Sequence, residues 1–140
     1  MMQQILLIED NEGDIFLIKE ALIETNFQGD ITEIKDGEAA IAFFFKKNAN
    51  QEPISISLVL LDVNLPKKNG HEVLKFIKST ANLKHIPVVM LTTSSSKSDI
   101  KKAYENSANS YITKPLDTED FQEVIAKIQN YWFSITQLSD

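Results

Sequence analysis

Short apolar runs recur along the chain, at Ile5 to Ile8, Ile31 to Ile34, Leu58 to Leu61, Ile86 to Leu91 and Tyr111 to Ile112. They are too short for helices. The central ones are also too continuous for strands with one wet face, so they suit strands buried on both faces. Between them lie segments of helical period. The first, 12 to 26, carries Ile15, Ile18 and Leu22 as a stripe that Leu17 and Ala21 widen. Asp36 is placed to cap a second helix through about Lys47, and Gly70 begins a third with Val73, Leu74 and Ile77 facing inward. Ser96-x-x-Asp99 has the spacing of a capping box at the start of a fourth. Asp117 caps a fifth, whose inner stripe is Phe121, Val124, Ile125 and Ile128. Five strands alternating with five helices predict an α/β fold, a doubly wound parallel sheet covered on both faces and joined by right-handed crossovers.

A chain of 140 residues with 43% hydrophobic content supplies one core and leaves no length for a second domain. A net charge of −6 works against binding by phosphate neutralisation, so neither nucleic acid nor an anionic membrane surface is an expected partner. The absence of cysteine removes disulfides and thiolate chemistry. The start, "MMQQILLIED", lacks the basic flank and cleavage site of a signal peptide, and no run approaches ~18 apolar residues. A soluble, cytoplasmic protein is expected.

In an open α/β sheet, functional groups gather at the carboxyl ends of the strands. The first run here ends in Glu9 and Asp10, the third in Asp62, the fourth in Thr92 and the fifth in Lys114. With strand order 2-1-3-4-5 the first and third strands are neighbours, so three carboxylates converge. Like charges at that range raise one another's pKa unless a cation intervenes. Hard oxygen donors suit Mg²⁺, with Asp10 and Asp62 as direct ligands, Glu9 acting through water and the backbone carbonyl of Asn64 as a third protein oxygen. A carboxylate so placed is a nucleophile toward phosphorus, and Lys114 and Thr92 are positioned to bind phosphoryl oxygens. Taken singly, each residue has an ordinary reading: Asp62 as a cap or turn former, Lys114 as a solvated lysine before Pro115, Thr92 as a loop cap. Agreement across separate strand ends favours the site. His71 and His85 read as surface residues, since neither has a Cys or second His at metal spacing. Phe43, Phe44 and Phe45 cannot all face the core, which leaves one for a partner.

These segments, "IED", "LLDVNLP" followed by Gly70, "MLTTS" and "YITKP", make the chain resemble the receiver domain of two-component response regulators from about Gln3 to Gln129. The resemblance implies a flavodoxin-like fold and a chain that is not an enzyme toward external substrates, limited to Mg²⁺-dependent phosphorylation and dephosphorylation of itself. Asp62 would then be the phosphoacceptor, Glu9 and Asp10 the acidic pair, Thr92 the switch hydroxyl, Lys114 the phosphoryl-binding lysine and Tyr111 the switch aromatic. It also implies a cis bond between Lys114 and Pro115, and a histidine kinase as phosphoryl donor. "ILLIEDNEGDIFLIKEAL", "NLPKKNGHEVL" and "YWF" are similar to the stand-alone regulators of bacterial phytochrome-type histidine kinases. Thr93 and Ser94 depart from the family's commoner residues, and both flank the phosphoryl position.

Residues 1–130 are thus expected to form the receiver and 131–140 an apolar tail, with output passing to a partner because the chain stops soon after the fifth helix. Onward transfer to a histidine phosphotransfer protein is an alternative. An aspartyl-phosphate hydrolase of the haloacid dehalogenase type would need a second Asp where Asn64 stands. A flavin phosphate would meet acidic residues in "EDNEGD" instead of donors. Tyr131, Trp132, Phe133, Ile135 and Leu138 exceed what the core should need, which favours a homodimer through the fifth-helix face over a tail folded back on the sheet.

Overall fold

The computed structural model describes residues 3–135 and 138. Its elements alternate along the chain: β1 (Gln4–Ile8), α1 (Glu12–Glu24), β2 (Asp30–Ile34), α2 (Gly37–Ala49), β3 (Leu58–Leu61), α3 (Gly70–Ser79), β4 (Val88–Thr92), α4 (Lys97–Glu105), β5 (Ser110–Thr113) and α5 (Thr118–Asn130). A π-helical turn, Tyr131–Ile135, continues α5. The strands pair in parallel in the order β2-β1-β3-β4-β5. The doubly wound expectation holds.

Alternation along each strand divides the core between the two faces of the sheet. Leu6, Ile8, Val59, Leu61, Val88 and Met90 face α2, α3 and α4. Ile5, Leu7, Leu58, Leu60, Val89 and Leu91 face α1 and α5. β3 is buried on both sides and contributes no polar residue, whereas β2, "DITEI", lies at the sheet edge and is only half-buried. Register decides which strand ends meet. Ile8 pairs with Ile34 on one side and Leu61 on the other, so the residues after β1 and β3 emerge side by side. Thr92 pairs with Thr113, which brings Lys114 to the same edge.

Helix starts obey the local chemistry. Asp36 accepts from the Ala39 N–H at 2.6 Å, and Asp117 accepts from Glu119 and Asp120. The reciprocal capping box is at Asn69 and Glu72. The one expected at Ser96 is only half made: Ser96 accepts from the Asp99 N–H, but the Asp99 carboxylate is committed to other partners. β4 begins at Val88, later than Ile86, because Pro87 has no N–H to give the ladder, although its carbonyl accepts from Val59. Of the three consecutive phenylalanines, Phe44 is fully buried, Phe43 is half-buried and Phe45 is exposed beside Phe76. After α5, Trp132 and Phe133 pack on the α1 and α5 face, Phe133 lying 5.2 Å from the Phe27 ring, while Tyr131 is exposed. Leu138 is half-buried. The Ile135 side chain lies outside the described residues.

Candidate functional site

At the carboxyl edge of the sheet, β1 and β3 release their last polar residues into one crevice. Asp62 donates its N–H to the Ile8 carbonyl, and Glu9 donates its own to Ile34, which locks both backbones into the sheet. One Asp62 carboxylate oxygen accepts from the Asn64 N–H at 3.1 Å. Gly70 lets α3 start hard against this segment. A Cβ there would sit 2.1 Å from the Asp62 carbonyl oxygen, so only glycine fits.

The Lys114 ammonium enters from β5. It donates to Glu9 Oε1 at 2.6 Å, Asp14 Oδ2 at 2.8 Å and Asp62 Oδ2 at 3.3 Å. Glu9 Oε2 accepts from the Asn11 N–H, so both oxygens of Glu9 already have donors. Glu9, Asp62 and Lys114 are buried, Asp10 is exposed, and Glu9, Asp10 and Asp62 each offer an oxygen within 4.8 Å of the others. Asp14 is a further member of the site, marked by no apolar run or strand end. It sits in the first turn of α1, within the acidic "EDNEGD" segment, and its Oδ2 accepts from Lys114.

Three carboxylates on one ammonium, with Asp10 close to two of them, leave surplus negative charge. Burial, opposed by the bond from Lys114 and reinforced by the Asp62 charge, pushes Glu9 up to about 7. Burial also pulls on Lys114, in the opposite sense. Its bonds to Asp14 and Glu9, with the charges of Glu9 and Asp62, outweigh that and hold it above its ordinary value. An all-oxygen cluster with unneutralised charge suits a hard divalent cation, so the residues present fit one.

The fourth strand end is built around Ser94. Thr92 is fully buried, and its Oγ1 accepts from the Ser94 N–H at 3.3 Å. The Tyr111 hydroxyl donates to the Ser94 carbonyl at 2.8 Å. Thus the sequence-derived residues Glu9, Asp10, Asp62, Asn64 and Lys114 do meet, and Thr92 and Tyr111 join through one loop residue. Two expectations fail. His71, taken as a surface residue, is 5% exposed, because the close approach at Gly70 tucks the first turn of α3 against the sheet. The bond between Lys114 and Pro115 is trans, the intrinsically preferred isomer, and Lys114 reaches its three carboxylates with it in that form.

The pattern for the response regulator receiver domain matches residues 5–126. The chain belongs to this family. It is 43% identical over 128 residues to the probable methanogenesis regulatory protein FilR2 of Methanothrix harundinacea, covering 91% of this chain and 82% of FilR2. It is 38% identical over 134 residues to response regulator Rcp1 of Synechocystis, covering 96% and 91%. The crystal structure of the Mn²⁺-bound form of Rcp1 superposes with a TM-score of 0.90 over 99% of both chains at 37% identity. That of the phosphorylated cyanobacterial phytochrome response regulator RcpA gives 0.93 over 100% of both at 38% identity. This receiver domain is therefore a two-component signalling protein of the response regulator type. Its acidic cluster is compatible with a divalent metal. The hydrolase and flavin readings are not favoured. No helix among the described residues is long and apolar enough to cross a membrane.

Proposed function

We propose that the receiver takes a phosphoryl group from the phosphohistidine of a histidine kinase onto Asp62. The observation that carries this reading is the convergence of a buried Asp62 with Lys114 and a surplus of acidic oxygens in one crevice. In the transfer, a carboxylate oxygen of Asp62 attacks phosphorus. The N–P bond of the donor breaks, its electron pair stays on the imidazole nitrogen, and an acyl phosphate forms. Mg²⁺, held by Asp10, Asp62 and the Asn64 carbonyl with Glu9 acting through water, would neutralise charge on the phosphoryl oxygens.

Lys114 and Thr92 bind the oxygens of the group transferred to Asp62. Because Thr92 Oγ1 accepts from Ser94, the hydroxyl hydrogen stays free to donate to a phosphoryl oxygen. The phosphoryl group adds about −2 charge and competes with Glu9 and Asp14 for the Lys114 ammonium. Movement of Thr92 is transmitted to Tyr111 and changes the face made by α4, β5 and α5, as a shift between two populations. Nothing is turned over except the acyl phosphate that the chain carries. Asn64 leaves the position of a hydrolase's second acid without a proton to exchange.

A phytochrome-type histidine kinase is the proposed donor, supported by the similarity to Rcp1 and RcpA. A cytoplasmic setting belongs to the same reading, because the kinase draws on ATP. Residues 131–140 are proposed as a tail that contributes to a homodimer, supported by the exposure of Tyr131 beside Ile112, Val124 and Trp132. Sedimentation with and without beryllofluoride, on the intact chain and on one truncated after Gln129, tests this. Association unchanged by the truncation removes the tail from the interface. For the central proposal, radiolabel should pass from a phosphorylated kinase to this protein only with Mg²⁺, and Asp62→Asn should abolish it. Full labelling of that variant would show that another residue is the acceptor.

A further inference from the structure

His71 is buried, yet its ring makes only one polar contact among the described residues. Nε2 lies 2.9 Å from Asp99 Oδ1, and Nδ1 has no partner there. An apolar side chain would fill the same space without leaving a buried polar atom unsatisfied. The imidazole is therefore costly as packing, and what it provides is the contact with Asp99. Asp99, in the first turn of α4, accepts from the Ser94 hydroxyl through its other oxygen at 2.5 Å. Those contacts, led by the Ser94 bond, hold the Asp99 carboxyl below its ordinary value. Ser94 in turn donates its N–H to Thr92 Oγ1, and its carbonyl accepts from the Tyr111 hydroxyl. One unbroken path therefore runs from α3 through α4 into both parts of the switch.

We infer that His71 and Asp99 are positioning residues for phosphoryl recognition: they fix Ser94 so that its N–H occupies the Thr92 oxygen and leaves the Thr92 hydrogen directed to the incoming group. This rests on the reading of Asp62 as phosphoacceptor. Without the pair, Ser94 samples other positions, the binding-competent arrangement of Thr92 is less populated, and apparent affinity for a phosphoryl mimic falls by that fraction. Tyr111, whose hydroxyl uses the same residue, loosens with it.

The test is titration of the full chain with beryllofluoride in saturating Mg²⁺, alongside the NMR signals of the Tyr111 ring and denaturant unfolding to confirm that each variant is folded. His71→Leu and Asp99→Ala should each weaken beryllofluoride binding about fivefold, the lower range of coupling between sites. The double variant should lose no more than either alone, because both act through one path. His71→Gln keeps an N–H donor for Asp99 and should retain near-parental affinity and Tyr111 signals. A packing role would instead favour leucine over glutamine. Parental affinity in His71→Leu, or additive losses in the double variant, overturns the inference while leaving the phosphoacceptor reading intact. Failure of the unsubstituted chain to bind beryllofluoride overturns both.

Discussion

Lys78 and Lys114 lie at opposite ends of the strands, and both are drawn out of water by the fold. Lys78, near the end of α3, donates to the carbonyls of Lys84 and Ile86 at 3.1 and 2.7 Å and to Asn109 Oδ1 at 3.1 Å. All these partners are neutral, and burial lowers its pKa. Lys114 meets three carboxylates and is held above its ordinary value in spite of burial. The same side chain thus performs two jobs. Among carbonyls it ties the amino ends of β4 and β5 together. Among carboxylates it is one member of a charge cluster that an arriving anion can rearrange.

The two lysines should differ most in signalling. Lys114→Ala and Thr92→Ala should still accept some phosphoryl label but lose the response of the Tyr111 ring to it, since both act as ligands of the bound group. Lys78→Met should keep uptake and response. A normal Tyr111 response in both site variants would remove them from the switch. The next effect concerns stability without metal. Lys114→Ala strands Glu9 and Asp62 as buried carboxylates without their cation and should cost about 3 kcal/mol, much of it recovered on adding Mg²⁺. Lys78→Met loses hydrogen bonds from an ammonium to neutral acceptors, offset by removal of a partly desolvated charge, and should cost about 1 kcal/mol, with no recovery. Urea unfolding with and without Mg²⁺ separates the two.

The smallest effect is in pH. A lysine with a depressed folded pKa binds its proton more weakly in the native state than in the unfolded one. Stability linked to Lys78 therefore rises as pH climbs from that depressed value toward 10.5, and is lost as pH falls back through it. The stability difference between the parent and Lys78→Met should shift in the parent's favour across that window. A difference that is flat in pH would mean that Lys78 is not desolvated in solution.

Much of this was legible in the chain because period and burial report on the same contacts. "LVLL" is a strand with two dry faces, and the polar residues after the first, third, fourth and fifth apolar runs mark the carboxyl edge that holds the crevice. β2 was faint for a physical reason: as an edge strand it alternates and is only half-buried. Asp14 and His71 were not legible. Each depends on a contact far along the chain, Asp14 with Lys114 and His71 with Asp99, and no local spacing encodes such pairs. Ser96-x-x-Asp99 shows the converse. The local pattern pointed to a reciprocal cap, and the tertiary partners of Asp99 won.

The bond between Lys114 and Glu9 joins residues 105 apart in sequence. The crevice is therefore among the last things this chain can assemble. Until β5 has been synthesised and docked beside β4, the acids of β1 and β3 have no internal counter-ion, and loop closure must be met before that contact exists. A partly folded or nascent chain carries Asp62 but not the Lys114 ammonium that stands beside it. On the roles proposed above, the response to phosphorylation, rather than the uptake of label, is thus coupled to completion of the fold, and the receiver signals only as a finished domain.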